Sequence, residues 1–412
     1  MTLDLSKIYL IEKSSLVKGL FYAGVLIAYI TSLNPWFLWW FFPYYPIVSS
    51  LFFIAAMALS NTMTKPVFTR NDFLLPLLVY IVLGFYQRLV NADNFNGYIT
   101  TVFHIFIFFS LFRYDSKLLF RLSTFLAKSM ACLLAVSIPF FILYILGFPL
   151  PSRDLQYRDA FYTFSNYYFF LIDDRQLLLF FPRFQSVFLE PAHLGTALAV
   201  LLQAQRGHWR KWYNMVLLAG LLISFSLGAY VYLVIIIILN LWTKGRRIFI
   251  NLIIAVIVVA SIVVGSFYYN DGENLIHNLI VLRLEIDDGE MVGNQRTSEG
   301  FDADFENFLQ SSDILFGREK ENVFGDSGYK VFIYDHGFVG AFLLFVFYIS
   351  SFYRARNKRA MLSALIIALL IFGVDAFVLW YNRFIPLFCA AYSDEGTPHD
   401  LSPTDQPQTP NN

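Results

Sequence analysis

The chain has 412 residues, of which 57% are hydrophobic, 19% aromatic and only 15% charged, with a formal net charge of zero. A soluble globular domain carries about 25% charged residues, so this balance excludes an ordinary cytosolic enzyme, and no nucleic-acid partner is expected. The two cysteines, Cys132 and Cys389, both lie in apolar surroundings and imply neither a disulfide framework nor a metal site.

The N-terminus, "MTLDLSKIYLIEKSSLVKG", places its charges before the first apolar run and has no small-residue cleavage site. The first span is therefore read as permanent rather than as a removable signal. Runs such as "NMVLLAGLLISFSLGAYVYLVIIIILNLW" and "IFINLIIAVIVVASIVVGSFYY" are long enough to cross about 30 Å of hydrocarbon as helices. None shows the period-2 alternation of a membrane β-barrel. In chain order the predicted spans fall near residues 16–33, 46–60, 73–90, 98–112, 124–147, 191–205, 212–225, 227–242, 248–268, 333–351 and 360–378, with a short twelfth segment up to Cys389. The expected fold is all-α: a polytopic integral membrane protein of about eleven or twelve transmembrane helices. Residues 1–390 form one helical domain, and residues 391–412 a polar, Pro-rich tail expected to be disordered.

Short connectors rich in Lys and Arg stand at Lys65/Arg70, Arg113 to Lys128, Arg206 to Lys211, Lys244 to Arg247 and Arg354 to Arg359. The positive-inside rule assigns them to the cytoplasm. Two cytoplasmic connectors must be separated by an even number of crossings. The region between Trp209 and Trp242 should therefore hold two short helices that turn at "SFSLGAY", Ser224 to Tyr230, with one long tilted span as the alternative. The same count places two long loops, 149–190 and 269–332, outside the cytoplasm, where an active surface could sit. Within the second, Leu275, Leu279, Leu282 and Ile286 recur at a helical period and predict an amphipathic helix at the interface.

The stretch "FPRFQSVFLEPAHLG", Phe181 to Gly195, brings Arg183 and Glu190 to the mouth of a span. Glu190 precedes Pro191, a position where a carboxylate also serves a helix N-terminus. Arg183 equally fits an arginine snorkelling to headgroups. The second loop adds Arg283, Arg296, Arg318 and Lys320, and "SGYKVFIYDHGFVGAFLLF" follows it, with Tyr329, Lys330, Asp335 and His336 at the start of an apolar run. A titratable group at that depth usually faces a bundle interior or a wet cavity. Several guanidinium groups beside a histidine and a carboxylate point to an anionic substrate, because arginine grips a diphosphate with a planar fork and stays protonated. Fixed cations would also stabilise a diphosphate leaving group as its glycosidic bond breaks, and His336 or Glu190 could take the proton of an acceptor hydroxyl. The chain has no Walker motif, no His-Glu-x-x-His, no nucleophile elbow and no Cys-x-x-Cys. The acid pairs in "LIDD" and "LEIDD" read as solvated loop surface rather than as metal ligands.

"PRFQSVFLEPAHLG", then "LLISFSLGAYVYLVI", then the segment from "GNQRTSEGFDADFENFLQSSDILFG" to "DHGFVGAFLL" resemble, in that order, the bacterial O-antigen polymerase and O-antigen ligase superfamily. The similarity is strongest from Arg183 to Leu344 and covers nearly the whole chain. It implies a metal-independent membrane glycosyltransferase without cofactors in the bacterial inner membrane, with its site facing the periplasm or exterior. Such an enzyme polymerises undecaprenyl-diphosphate-linked repeat units of O-antigen, capsule or exopolysaccharide. The implied partners are a lipid-linked glycan donor and acceptor, membrane lipids and a polysaccharide chain-length regulator. By the same resemblance Arg183 and Arg296 engage the donor, with Arg158 or Arg283 beside them; Glu190 matches the family's Glu-Pro carboxylate, and His336 the ligase histidine. Tyr329, Lys330 and Asp335 are further candidate substrate contacts. Leu227 stands where members often have an arginine, a departure from the pattern. Three alternatives remain open: a ligase that transfers finished glycan to lipid A core or another acceptor, a transporter of lipid-linked glycans, and a non-enzymatic membrane component that docks other glycan machinery.

Overall fold

A computed structural model describes residues 5–60, 70–90, 95–111, 116–157, 162–174, 182–243, 299–318, 328–353, 358–374 and 382–391, together with short stretches between 253 and 291. Helices dominate the described chain: α1 (Leu5–Ser32), α2 (Tyr45–Leu59), α3 (Arg70–Val90), α4 (Phe95–Leu111), α5 (Ser116–Ile145), α6 (Pro191–Ala204), α7 (Trp212–Ile223), α8 (Leu227–Thr243), α9 (Glu299–Leu309), α10 (Tyr329–Tyr353), α11 (Lys358–Val374) and α12 (Ile385–Ala391). Windows in α1, α5 and α10 are long and apolar enough to cross a membrane, and further apolar helices are shorter. The mainly helical expectation thus holds in outline and is compatible with a membrane protein. The span expected at 248–268 is helical at every position described there. Ala391, the first residue of the tail expected to be disordered, closes α12; the rest of that tail, and Leu275, Leu279 and Leu282, lie outside the described residues.

Three expectations need correction. The loop at 149–190 carries an antiparallel sheet of β1 (Arg153–Tyr157), β2 (Tyr162–Asn166) and β3 (Leu171–Asp173), with Arg153 opposite Asn166 and Phe164 opposite Asp173. Asp173 of "LIDD" is buried rather than solvated, because β3 packs beneath Leu189 and the indole of Trp39. Ile286 is not helical: it pairs with Met291 in a two-stranded ladder of β4 (Ile286–Asp287) and β5 (Glu290–Met291). The amphipathic helix of the second loop is α9 instead, where Phe301, Phe305 and Phe308 share one buried face.

The bundle has two distinct ends. At one, Asn34, just past α1, donates to the hydroxyl of Tyr157 in β1 at 2.9 Å, and Trp39 packs edge-on to that ring at 4.6 Å. Phe140, near the end of α5, stacks on Phe169 at 4.4 Å. This is the sheet end. At the other, Gln205, just past α6, meets Ser123 of α5 at 3.2 Å, and Lys128 lies over the ring of Tyr213. Arg206 there donates to the carbonyl of Ala390 in α12, and the exposed Arg210 and Lys211 give that end its basic character.

Helices α7 and α8 are two short helices that turn at Ser224–Ser226, as the parity argument required. Tyr213 at the start of α7 is near Gln205, whereas Phe184 donates its N–H to the carbonyl of Ile223 at α7's far end. The return helix α8 brings Asn240 and Leu241 back beside Gly207 to Lys211. Both flank α6, and the close approach is allowed by Gly195 and Gly220: a methyl on Gly195 would come within 2.6 Å of the Ala229 side chain. Helix α6 is consequently central, touching α5, α7, α8, α11 and α12. The expected twelfth segment is α12, only seven residues long. At 1.5 Å per residue it covers roughly 10 Å, too little for a span.

Candidate functional site

The stretch from Arg183 to Glu190 threads into the sheet end in an irregular conformation. Several of its backbone groups are matched to neighbouring elements, as buried peptide groups require. Phe184 N–H satisfies the last carbonyl of α7, the Ser186 carbonyl accepts from Leu171 N–H of β3 at 2.8 Å, and the Val187 carbonyl accepts from Trp36 N–H at 3.0 Å. Ser186 takes a left-handed backbone (φ 52°) to make this turn. Phe184 through Leu189 are buried, while Arg183 and Glu190 at the two ends are half-buried. The side chain of Gln185 is 1% exposed, and neither its amide nitrogen nor its oxygen has a hydrogen-bond partner among the described residues. An unmatched buried group of this kind costs about 1–3 kcal/mol.

Glu190 occupies the N-cap of α6, with extended backbone and Pro191 at the first helical position, as the Glu-Pro spacing predicts. Its side chain makes no capping hydrogen bond. His193 follows one turn later, on the same face of α6. Sequence reasoning passed over it, although it lies within the quoted stretch.

His336 lies at a break in α10. Gly337 has φ 62° and ψ −175°, which divides the element into a short leading half and a long continuing one. The strand of chain at Leu315–Arg318 crosses the break and replaces the lost helical bonds. Arg318 N–H donates to the Tyr334 carbonyl at 2.9 Å, and Val339 N–H donates to the Leu315 carbonyl at 3.0 Å. The Tyr86 hydroxyl of α3 lies 2.8 Å from the His336 carbonyl and 2.9 Å from that of Phe316. Glycines make the crossing feasible. A β-carbon on Gly317 would lie 2.5 Å from the His336 nitrogen, one on Gly337 would collide with the Leu315 carbonyl, and one on Gly340 would lie 2.5 Å from the His336 β-carbon. The imidazole is buried and meets the edge of Phe332 at 4.7 Å.

The loop arginine that the structure describes is committed elsewhere. Arg318 pairs with Asp304 at 2.7 Å, donates to the Tyr334 hydroxyl at 2.9 Å and lies over the Tyr334 and Phe308 rings. Lys330 pairs with Asp302 at 2.6 Å. Both cations thus fasten α9 onto the leading half of α10. Tyr329 is exposed, and Asp335, beside His336, is half-buried. Arg158, Arg283, Arg296 and Lys320 lie outside the described residues.

Two further arginines at the same end, Arg383 buried and Arg88 half-buried, were missed. Arg383 donates through Nε to the Ser32 carbonyl at 2.9 Å, and its neighbour Asn382 reaches the Tyr45 hydroxyl at 3.3 Å. Arg88, at the end of α3, donates to Thr101 Oγ1 of α4 at 2.8 Å, near His104. The available signal was an arginine or histidine inside an apolar run, as in "WYNRFIPLF" and "TTVFHIFIFF". The recorded contacts of Arg183's segment are to β3, the chain after α1 and the α7–α8 turn. Those of His336 are to α3, to the crossing strand and, through Phe332, to Phe372 of α11. They are two clusters at one end of the bundle rather than one hydrogen-bonded constellation.

Searches against family models, curated proteins and solved structures returned no match for this chain. The likeness to the polymerase and ligase superfamily therefore stands on the order of motifs alone.

Proposed function

We propose that this chain is a membrane glycosyltransferase that polymerises undecaprenyl-diphosphate-linked oligosaccharide repeats on the extracytoplasmic side of the bacterial inner membrane. The observation that supports it best is the break at Gly337, which holds the buried His336 imidazole at the same end as Arg183 and Glu190. In this reading the acceptor sugar hydroxyl loses its proton to His336 as its oxygen attacks the anomeric carbon of the donor. The bond from that carbon to the diphosphate oxygen breaks, and Arg183 neutralises the departing diphosphate. Glu190 orients the acceptor. No step calls for a metal or a nucleotide sugar.

A transporter of lipid-linked glycans is the second reading, because interrupted helices line many transport paths. Its weakness is position: Gly337 is only eight residues into α10, roughly 12 Å from the helix start, rather than at mid-helix. The test uses purified protein in nanodiscs with a defined undecaprenyl-diphosphate repeat unit and no other enzyme. A ladder of products of increasing length is expected. Product only on addition of lipid A core would give the reaction to a ligase, and no product with either acceptor would sink both enzymatic readings.

A further inference from the structure

Helices α3 and α4 enclose a polar cleft that the mechanism above does not use. It is small, about 40 Å³, and is lined by Tyr80, Gly84, Gln87, Arg88, Thr101, His104 and Ile105. The wall is built by close packing: a β-carbon on Gly84 would lie 2.9 Å from the Thr101 methyl, so only glycine lets α4 come near enough for Thr101 to hold Arg88. Thr101 itself is fixed by donating to the Gly97 carbonyl at 3.0 Å. The guanidinium thus has a set direction.

Gln87 is 8% exposed, and its amide nitrogen has no hydrogen-bond partner among the described residues. The same holds for Nδ1 of His104, which also stands 5.6 Å, ring to ring, from Tyr45. A guanidinium and an unmatched amide N–H line one cleft, and His104 adds a third N–H in the tautomer protonated at Nδ1; these donors suit a ligand with anionic oxygens. Beyond the cleft the same two helices expose Leu78, Val82, Leu89, Phe95 and Val102, an apolar surface fit for a hydrocarbon tail.

We propose that this cleft is a second anionic site, separate from Arg183, which binds the phosphate or diphosphate head of an amphiphile through Arg88, Gln87 and His104. Identifying that amphiphile with the second lipid-linked substrate rests on the polymerase reading. The phosphate site itself does not. Tyr86, on the same turn of α3, clamps the His336 carbonyl, so the head would be held on the helix that also fixes the break in α10.

The test measures binding of farnesyl diphosphate to the full chain in detergent, with farnesol as the phosphate-free control. Affinity should fall tenfold or more in Arg88→Gln and at least threefold in Gln87→Leu, which preserves side-chain volume, while farnesol binds wild type and variants equally weakly. Should Arg88→Gln fail to fold, Arg88→Lys replaces it, with an expected threefold loss from the missing fork. Unchanged affinity in either the arginine or the glutamine variant overturns the proposal. Competition by phosphatidylglycerol vesicles identifies a bilayer phospholipid as the natural occupant, and resistance to it identifies a polyprenyl diphosphate; either supports the phosphate site. Phosphate-dependent binding through Arg88 in a chain that forms no product ladder would keep this site and discard the polymerase.

Discussion

The two ends of the bundle solve the problem of finishing a helix in opposite ways. At the basic end helices stop in short exposed turns, where Arg210 and Lys211 face outward and carbonyls are met locally, as by His208 N–H on Gln205. At the sheet end almost nothing stops simply: α10 is broken, α7 ends on a carbonyl met by Phe184, and the chain between α5 and α6 folds into strands. Buried polar atoms without described partners occur at both ends, on Gln185, Ser186, Asn34 and Gln87 at the sheet end and on Gln203 and Asn214 at the basic end. The broken helix and the interposed strands are what set the sheet end apart, and the proposed function puts its site there.

Substitution can break or sharpen that contrast. The largest effect is expected for His336→Gln, which keeps the buried volume: polymerisation in nanodiscs should slow by about 10²–10⁴-fold with thermal unfolding unchanged. A variant with near-normal turnover would remove His336 from the chemistry. Gly337→Val should act on the fold instead, because a β-branched residue cannot take φ 62° without strain and its β-carbon meets the Leu315 carbonyl. A loss above about 3 kcal/mol is expected, read as a much lower Tm in detergent. Arg318→Ala removes a pair whose partners are 30% and 41% exposed, and the expected cost is about 1 kcal/mol after screening. Gln185→Leu sharpens the comparison furthest, since it should raise Tm slightly while lowering activity, the signature of a polar group kept for a ligand. At the basic end, Lys211→Ala should change stability by no more than about 0.5 kcal/mol and leave the product ladder intact.

Long apolar runs made the helices legible, and α1, α5 and α10 each contain the expected span. The paired short helices were legible too, through the parity of the basic clusters around "SFSLGAY". The sheet was not, because β1 to β3 are short and mix polar with aromatic residues without clean alternation. The break in α10 hid for another reason. Gly337 is visible in the sequence, but its meaning depends on Gly317, twenty positions earlier, crossing directly over it. Arg183, Glu190 and His336 were found because they sit beside proline or glycine punctuation, whereas Arg88, His104 and Arg383 have none and were absorbed into their spans.

Helix α6 has only fourteen residues, nearly all buried, and extends roughly 21 Å. A helix that touches lipid must match a hydrocarbon thickness of about 30 Å or deform its surroundings. Surrounded by neighbouring helices, α6 is released from that requirement.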